Sequence, residues 1–233
     1  MGIDCNNCQA RNSKLCSVFD GDSIAELFEI AIPVKVEKGS YLLHEEDSTK
    51  YVYNLSSGVS AVERLASDGR RQIMAFIYPG DFIGVSTGPA YSISDRALTD
   101  VTACKWHIRD IEALYVKYPE LEQRVHEIAT RVLAATMDQI FVLGRKNAIE
   151  KIAYFLLYID KRQVKFDGHT DEFTLPMTRA DIADYLGITV ETVSRAFSLL
   201  KKKGFIELSQ NWVVRLLDKD TLAEIADHFG PNS

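Results

Sequence analysis

Three of the chain's four cysteines crowd into its first 16 residues, at Cys5, Cys8 and Cys16, with Cys104 far downstream. A folded core has no need of three thiols so close in sequence, and in a reducing compartment structural disulfides are not expected. The spacing Cys5-x2-Cys8-x7-Cys16 has the form of a metal or redox cluster. Four thiolates are what a tetrahedral zinc site or a cubane iron–sulfur cluster requires. Cys5-x-x-Cys8 also has the form of a dithiol pair, although no βαβ pattern surrounds it, which argues against a thioredoxin-like enzyme. Cys104 alone also reads as a buried core thiol.

Chemistry is concentrated a second time in residues 178–204. Thr178 is suited to cap a helix, with Asp181 as its reciprocal partner, and Ile182, Ala183 and Leu186 give that helix a buried face. Gly187 supplies a tight turn and Thr189 caps a second helix, buried through Val193, Phe197 and Leu200 and ended by Gly204. This is a helix-turn-helix by spacing. Glu191, Ser194 and Arg195 lie three and four apart near the start of the second helix, where a major-groove helix touches base edges. Arg donates twice to guanine, Glu accepts from cytosine N4, and a Ser hydroxyl suits a base or a phosphate. Thr178, Arg179, Thr192 and Lys201 are placed to meet the DNA backbone. Phe205–Leu208 and Trp212–Leu216, joined by Ser209-Gln210-Asn211, read as a β-hairpin wing. The plainer alternative is an αα-hairpin with a solvated lysine run.

The elements that must position these residues follow from composition and period. The chain has 233 residues, 46% of them hydrophobic and 26% charged, which suits one large or two ordinary globular domains. No apolar run approaches the roughly 18 residues that cross a bilayer, and the polar start carries no signal-peptide pattern. A cytoplasmic protein without membrane association is expected. The net charge of −6 argues against a non-specific nucleic-acid coat but leaves room for a local basic face. Between Thr189 and Gly204 the charges are Arg195, Lys201, Lys202 and Lys203 against Glu191.

Residues 33–107 alternate apolar and polar positions between turn pairs such as Ser57-Gly58 and Pro79-Gly80, predicting six or more short strands in a sandwich or roll. After His107 the period becomes helical. A short helix over 109–118 precedes a longer one from Pro119 to about Leu143, whose apolar positions include Val125, Ile128, Val132, Ala135 and Ile140. A helix of about 25 residues spans roughly 37 Å. It is read either as a core helix on the β domain or as a dimer helix pairing with its twin. Gly144 and Arg145-Lys146-Asn147 read as a hinge, followed by a helix from Ala148 to about Lys161 and a loop through Asp167-Gly168-His169. The fold class is α+β.

Thr189-Val190-Glu191-Thr192-Val193-Ser194-Arg195 resembles the recognition helix of the CRP/FNR family of bacterial transcription regulators, its FNR branch in particular. The Pro79-Gly80-Asp81 turn and the Arg145-Lys146-Asn147-Ala148 hinge match as well, and the resemblance covers essentially the whole chain. It implies a cysteine-rich arm (1–17), a cyclic-nucleotide-binding-like β-roll sensor (18–118), a dimerisation helix (119–145) and a winged helix-turn-helix DNA-binding domain (146–233). It also implies a homodimer on double-stranded DNA reading a palindrome related to TTGAT-N4-ATCAA, with half-sites roughly 34 Å apart, and activation through RNA polymerase.

The cyclic AMP branch of the family uses an acid after Gly-Asp-Phe-Ile-Gly and an Arg-Ser pair for the cyclic phosphate. Here Gly80-Asp81-Phe82-Ile83-Gly84 is kept, but Val85 stands at the acid, Ser94 and Asp95 at the pair, and Arg96 lies two residues out of register. Cyclic AMP is therefore not the expected effector. The FNR branch implies instead that Cys5, Cys8, Cys16 and Cys104 hold an oxygen-labile [4Fe–4S] cluster whose loss weakens dimerisation and DNA binding. The seven-residue gap before Cys16 resembles FnrN-type relatives. A zinc site, a dithiol switch, a haem sensor using His44, His107 or a cysteine, and a nucleotide sensor are the alternatives. The chain has no phosphate loop, His-Glu-x-x-His or Gly-x-Ser-x-Gly, so no enzyme is expected.

Overall fold

A computed structural model describes residues 8, 10–11, 15–19, 23–86, 88–167, 172–209 and 212–227. The chain forms two compact units, Met1–Ala134 and Ala135–Ser233, the dividing point falling within a long helix.

In the first unit the alternating segments become eight strands: β1 (Ile32–Val36), β2 (Tyr41–Leu43), β3 (Tyr51–Ser57), β4 (Ser60–Leu65), β5 (Arg71–Ile77), β6 (Phe82–Ile83), β7 (Ser94–Ala97) and β8 (Val101–His107). They form two four-stranded antiparallel sheets ordered β1-β8-β3-β6 and β2-β7-β4-β5. Gly58 turns the chain between β3 and β4 at φ 83°, and a Cβ there would meet the Asp100 carbonyl oxygen at 2.2 Å. Only glycine fits.

Side chains alternate across β3 and β8, as strand geometry demands. Tyr53, Leu55, Val101 and Ala103 enter the core of the roll. Val52, Cys104 and Trp106 point the other way, into a second core with Leu15, Phe19, Leu27, Ile111, Leu121 and Ile128. That second core is closed by α1 (Ser23–Glu29), α2 (Ile108–Lys117) and the start of α3 (Pro119–Arg145). The Trp106 Nε1–H donates to the Leu27 carbonyl at 2.9 Å, bracing α1 against the sheet.

The long helix runs through Gly144 to Arg145, so the break lies at Lys146-Asn147, the last two residues of the stretch read as a hinge. Asn147 begins α4 (Ala148–Asp167) with a reciprocal cap. Its Oδ1 accepts from the Ile149 and Glu150 N–H groups, and its own N–H donates to Glu150 Oε2 at 2.8 Å. The helix α4 also continues past Lys161 to Asp167, where a loop was expected.

The rest of the second unit is β9 (Glu172–Thr174), α5 (Arg179–Leu186), α6 (Val190–Lys202), β10 (Ile206–Leu208), β11 (Val213–Leu216) and α7 (Lys219–Asp227). The expected hairpin pairs Ile206 with Leu216 and Leu208 with Val214, and β9 adds a third strand on the free edge of β11. Ile152, Phe155, Leu156, Ile182, Leu186, Val193, Phe197, Leu200 and Leu222 are all buried. No helix among the described residues is long and apolar enough to cross a membrane.

Candidate functional site

Each unit carries one site. In the first, a pocket partly open to solvent is lined by Cys8, Cys16, Cys104, Arg11, Asn54 and Trp106 among others. The fourth predicted thiol, Cys5, lies outside the described residues. Cys104 reaches the pocket because β8 turns it outward, directly opposite Asn54 on β3. Cys16 reaches it from a short 3₁₀ turn, Cys16–Val18.

The turn is pinned by Arg11, whose guanidinium donates to the carbonyls of Cys16 at 2.8 Å and Phe19 at 2.9 Å. The Arg11 backbone N–H closes on the Cys8 carbonyl at 2.9 Å. Arg11, within the spacer between Cys8 and Cys16, thus bonds to the backbone of both cysteines. Asn54 Nδ2 donates to Cys16 Sγ at 3.6 Å. Among the described residues no three His, Cys, Asp or Glu side chains are grouped as ligands of a single metal ion. The pocket's donors are nevertheless of the kind that suits thiolates: sulfurs from two elements, an amide N–H on one of them and a nearby guanidinium.

The interior of the roll is arranged differently. Asp95 points into it from β7, fully buried, accepting from Ser60 Oγ at 2.9 Å. Its Oδ1 has no hydrogen-bond partner among the described residues. Burial pushes its carboxyl up to about 7, helped by the charge of Glu63 and opposed by the Ser60 bond and by Arg96. Arg96 faces the other side of β7, where its Nε–H meets buried Glu63 at 3.1 Å; Arg71 meets the same carboxylate at 3.3 Å. The one arginine near the expected phosphate position is therefore engaged by a carboxylate.

In the second unit, Thr178 and Asp181 form the expected capping box: Thr178 Oγ1 accepts from the Asp181 N–H at 3.1 Å and the Thr178 N–H donates to Asp181 Oδ2 at 2.9 Å. Gly187 ends α5 at φ 61°, and Thr189 caps α6 by accepting from the Thr192 N–H at 3.2 Å. These caps leave Glu191, Ser194 and Arg195 together on the exposed face of α6, with Thr192 half-buried and Lys201 exposed at the far end. The Glu191 carboxyl is held below its ordinary range, first by a hydrogen bond from its own backbone N–H, then by the Thr189 hydroxyl, with the Arg195 charge adding to this. It presents an anionic acceptor at neutral pH.

Arg179 is half-buried, with its guanidinium 3.4 Å from the Phe197 ring centre and 4.2 Å from that of Trp212. Such stacking is worth roughly 0.5–2 kcal/mol and ties the first turn of α5 to the wing. Desolvation lowers its value to about 10, leaving it cationic at neutral pH. Along α3 the predicted stripe divides. Val125 and Ile128 pack into the second core of the first unit, whereas Val132, Ala135 and Ile140 are exposed, as are Leu133, Met137 and Phe141.

Residues 33–118 match the cyclic nucleotide-binding domain family and residues 150–225 the Crp-like helix-turn-helix domain family. The chain is 37% identical to the nitrogen fixation regulation protein FixK of Bradyrhizobium diazoefficiens, over 97% of this chain and 94% of that one. The chain belongs to the Crp/FNR family. The transcriptional activator protein FnrL of Cereibacter sphaeroides is 32% identical over 95% of this chain and 91% of its own. The solved structure of FixK2 from Bradyrhizobium japonicum superposes with a TM-score of 0.80 at 31% identity, covering 88% of this chain and all of that one.

As a Crp/FNR regulator the chain binds DNA to regulate transcription, and its relatives are regulators rather than enzymes. The residues that sequence reasoning missed in this member are Arg11, Asn54 and Trp106. The only signal for Arg11 was a cation amid three cysteines; Asn54 and Trp106 are selected by strand pairing, which no local pattern announces.

Proposed function

We propose that the chain is an oxygen-responsive transcription activator, a homodimer on DNA, in which Cys5, Cys8, Cys16 and Cys104 hold a [4Fe–4S] cluster. The observation that carries this reading is the meeting of Cys8, Cys16 and Cys104 at one pocket, although Cys104 lies 88 residues beyond Cys16 in the chain. When bound, such a cluster supplies a centre that molecular oxygen destroys.

The chain's own part is mechanical. Cys16 belongs to the arm and Cys104 to β8, so holding both sulfurs at one place holds the arm to the sheet. Leu15 of the arm and Phe19, two residues past its end, share a core with Leu121 and Ile128 of α3, and Phe19 meets Tyr118 edge-on at 5.2 Å between ring centres. Freeing the arm removes Leu15 from the seat of α3 and loosens the hold on Phe19 beside it. The exposed stripe of Val132, Leu133, Met137, Ile140 and Phe141 suits a twin helix. A bias of about 1.4 kcal/mol on that pairing is tenfold in its equilibrium.

On DNA, Glu191, Ser194 and Arg195 read base edges of a TTGAT-N4-ATCAA-like palindrome while Thr178, Arg179, Thr192 and Lys201 meet the backbone. Activation is supported by the name of the transcriptional activator protein FnrL, and contact with RNA polymerase is its proposed route. A cyclic nucleotide is disfavoured as effector by the pairing of Arg96 with Glu63 and by the carboxyl of Asp95 inside the roll. The test is an absorption spectrum of anaerobically purified protein, with iron and sulfide assayed, before and after air. Visible absorption that bleaches in air, with loss of DNA binding, is the expected result. A colourless protein carrying zinc or no metal overturns the cluster and leaves the DNA-binding half intact. Wild-type anaerobic output from Cys16→Ser removes Cys16 from the ligand set.

A further inference from the structure

Asn54 is out of place by the logic of its strand. Its neighbours on the outward face of the sheet are Val52 across one step and Cys104 and Trp106 on β8, and the core they enter is otherwise apolar. Asn54 is only 2% exposed. A buried amide is costly unless its groups are paired, and a Leu or Val would fill the position if packing were the only demand. Among the described residues the side-chain partner on its donor edge is sulfur, with Nδ2 3.6 Å from Cys16 Sγ. The opposite edge, Oδ1, is buried without a partner among the described residues, so no second bond competes for the orientation of the amide. Strand register sets it directly across from Cys104. The amide therefore bonds the thiol contributed by the arm from the strand position that faces the residue contributing the sheet's thiol.

We infer that Asn54 is a positioning residue of the thiol pocket: its amide N–H holds the Cys16 sulfur beside Cys104 and stabilises the negative charge that the sulfur carries as a ligand. N–H donors to ligand sulfurs favour the more electron-rich state of a metal centre and make it harder to oxidise. Arg11 acts in the same sense from the arm, fixing the Cys16 backbone rather than its sulfur. The inference rests on the pocket being a thiolate site, and its consequence for oxygen sensitivity rests on the cluster proposed above.

Two measurements on the full chain test it. In reduced, metal-free protein, ¹⁵N spectra should show one Asn54 side-chain N–H displaced from its partner and slowed in exchange, and Cys16→Ala should return both to ordinary amide positions. An Asn54 signal indifferent to Cys16→Ala overturns the inference. In protein loaded anaerobically with iron and sulfide, Asn54→Leu should take up iron as the wild type does yet bleach several-fold faster in air. Asn54→Asp, which keeps the shape but removes the N–H, should bleach at least as fast and guards against a packing defect in the Leu variant. Wild-type bleaching rates in both variants overturn the inference. Failure of the wild type to take up iron and sulfide defeats the cluster reading instead, while the amide spectrum still decides the role of Asn54.

Discussion

Glu191→Ala or Arg195→Ala should each cost about 1–3 kcal/mol of binding to the palindrome and relax preference at one base pair per half-site. Titration against a panel of half-site variants checks this, and a uniform loss over the whole panel would assign the two residues to phosphates. Asp95 makes a different prediction. Its folded value near 7 lies above the ordinary carboxyl value of 3.8, so the folded chain binds more protons than the unfolded one across that interval. Stability should therefore fall as pH rises from about 4 to about 7 and level off above. Denaturant melts of Asp95→Asn, which keeps a partner for Ser60, should show that slope reduced. At this scale the sequence displays residue types more readily than partners. The cysteine spacing and the Glu191, Ser194, Arg195 trio are visible as text because helical period or short separation relates them. Asp95 reads as one more polar strand residue until its alternation with half-buried Ser94 and Arg96 turns it inward.

Elements were legible in proportion to their length. β8 begins and ends where alternation predicts, at Val101 and His107, because seven residues carry a clear period. β2, β6 and β7 have three, two and four residues and owe their existence to neighbouring strands, as does β9 against β11. Within the stretch 144–147 read as a hinge, Gly144 itself stays helical for a local reason. A single glycine costs a helix only about 1 kcal/mol, less than neighbouring turns supply, and the break was assigned instead by the cap at Asn147. Gly144 and Gly187 consequently respond in opposite directions to alanine. A Cβ at Gly144 meets nothing within 4 Å, so Gly144→Ala should raise stability by about 0.5–1 kcal/mol. At Gly187, φ is 61° and Leu143 lies 3.4 Å from the added Cβ, so Gly187→Ala should lower it by about 1–2 kcal/mol. Thermal melts of the two variants side by side decide the matter.

At the scale of the molecule, the α+β class and the order of roll, long helix and winged helix-turn-helix follow from where period two gives way to period 3.6. What the text could not divide was the stripe on α3. Val125 and Ile128 share the spacing of Val132 and Ile140, yet the first pair is taken by the core of the first unit and the second pair is left to solvent. Ile140→Glu should leave the fold intact and abolish self-association, read by sedimentation with the cluster loaded; a variant that still dimerises would move the interface elsewhere.

The bracing of α1 by the indole of Trp106 has an optical corollary. The chain has two tryptophans. Trp106 is buried beside the thiol pocket, and Trp212 is stacked on Arg179 in the wing. Each unit thus carries its own intrinsic fluorophore. Trp212→Phe leaves a protein whose emission follows the pocket alone, and Trp106→Phe one whose emission follows the wing. Arrival of a chromophoric guest at the thiols, melting of the first unit and docking of the second on DNA become three separable light signals from one unlabelled polypeptide.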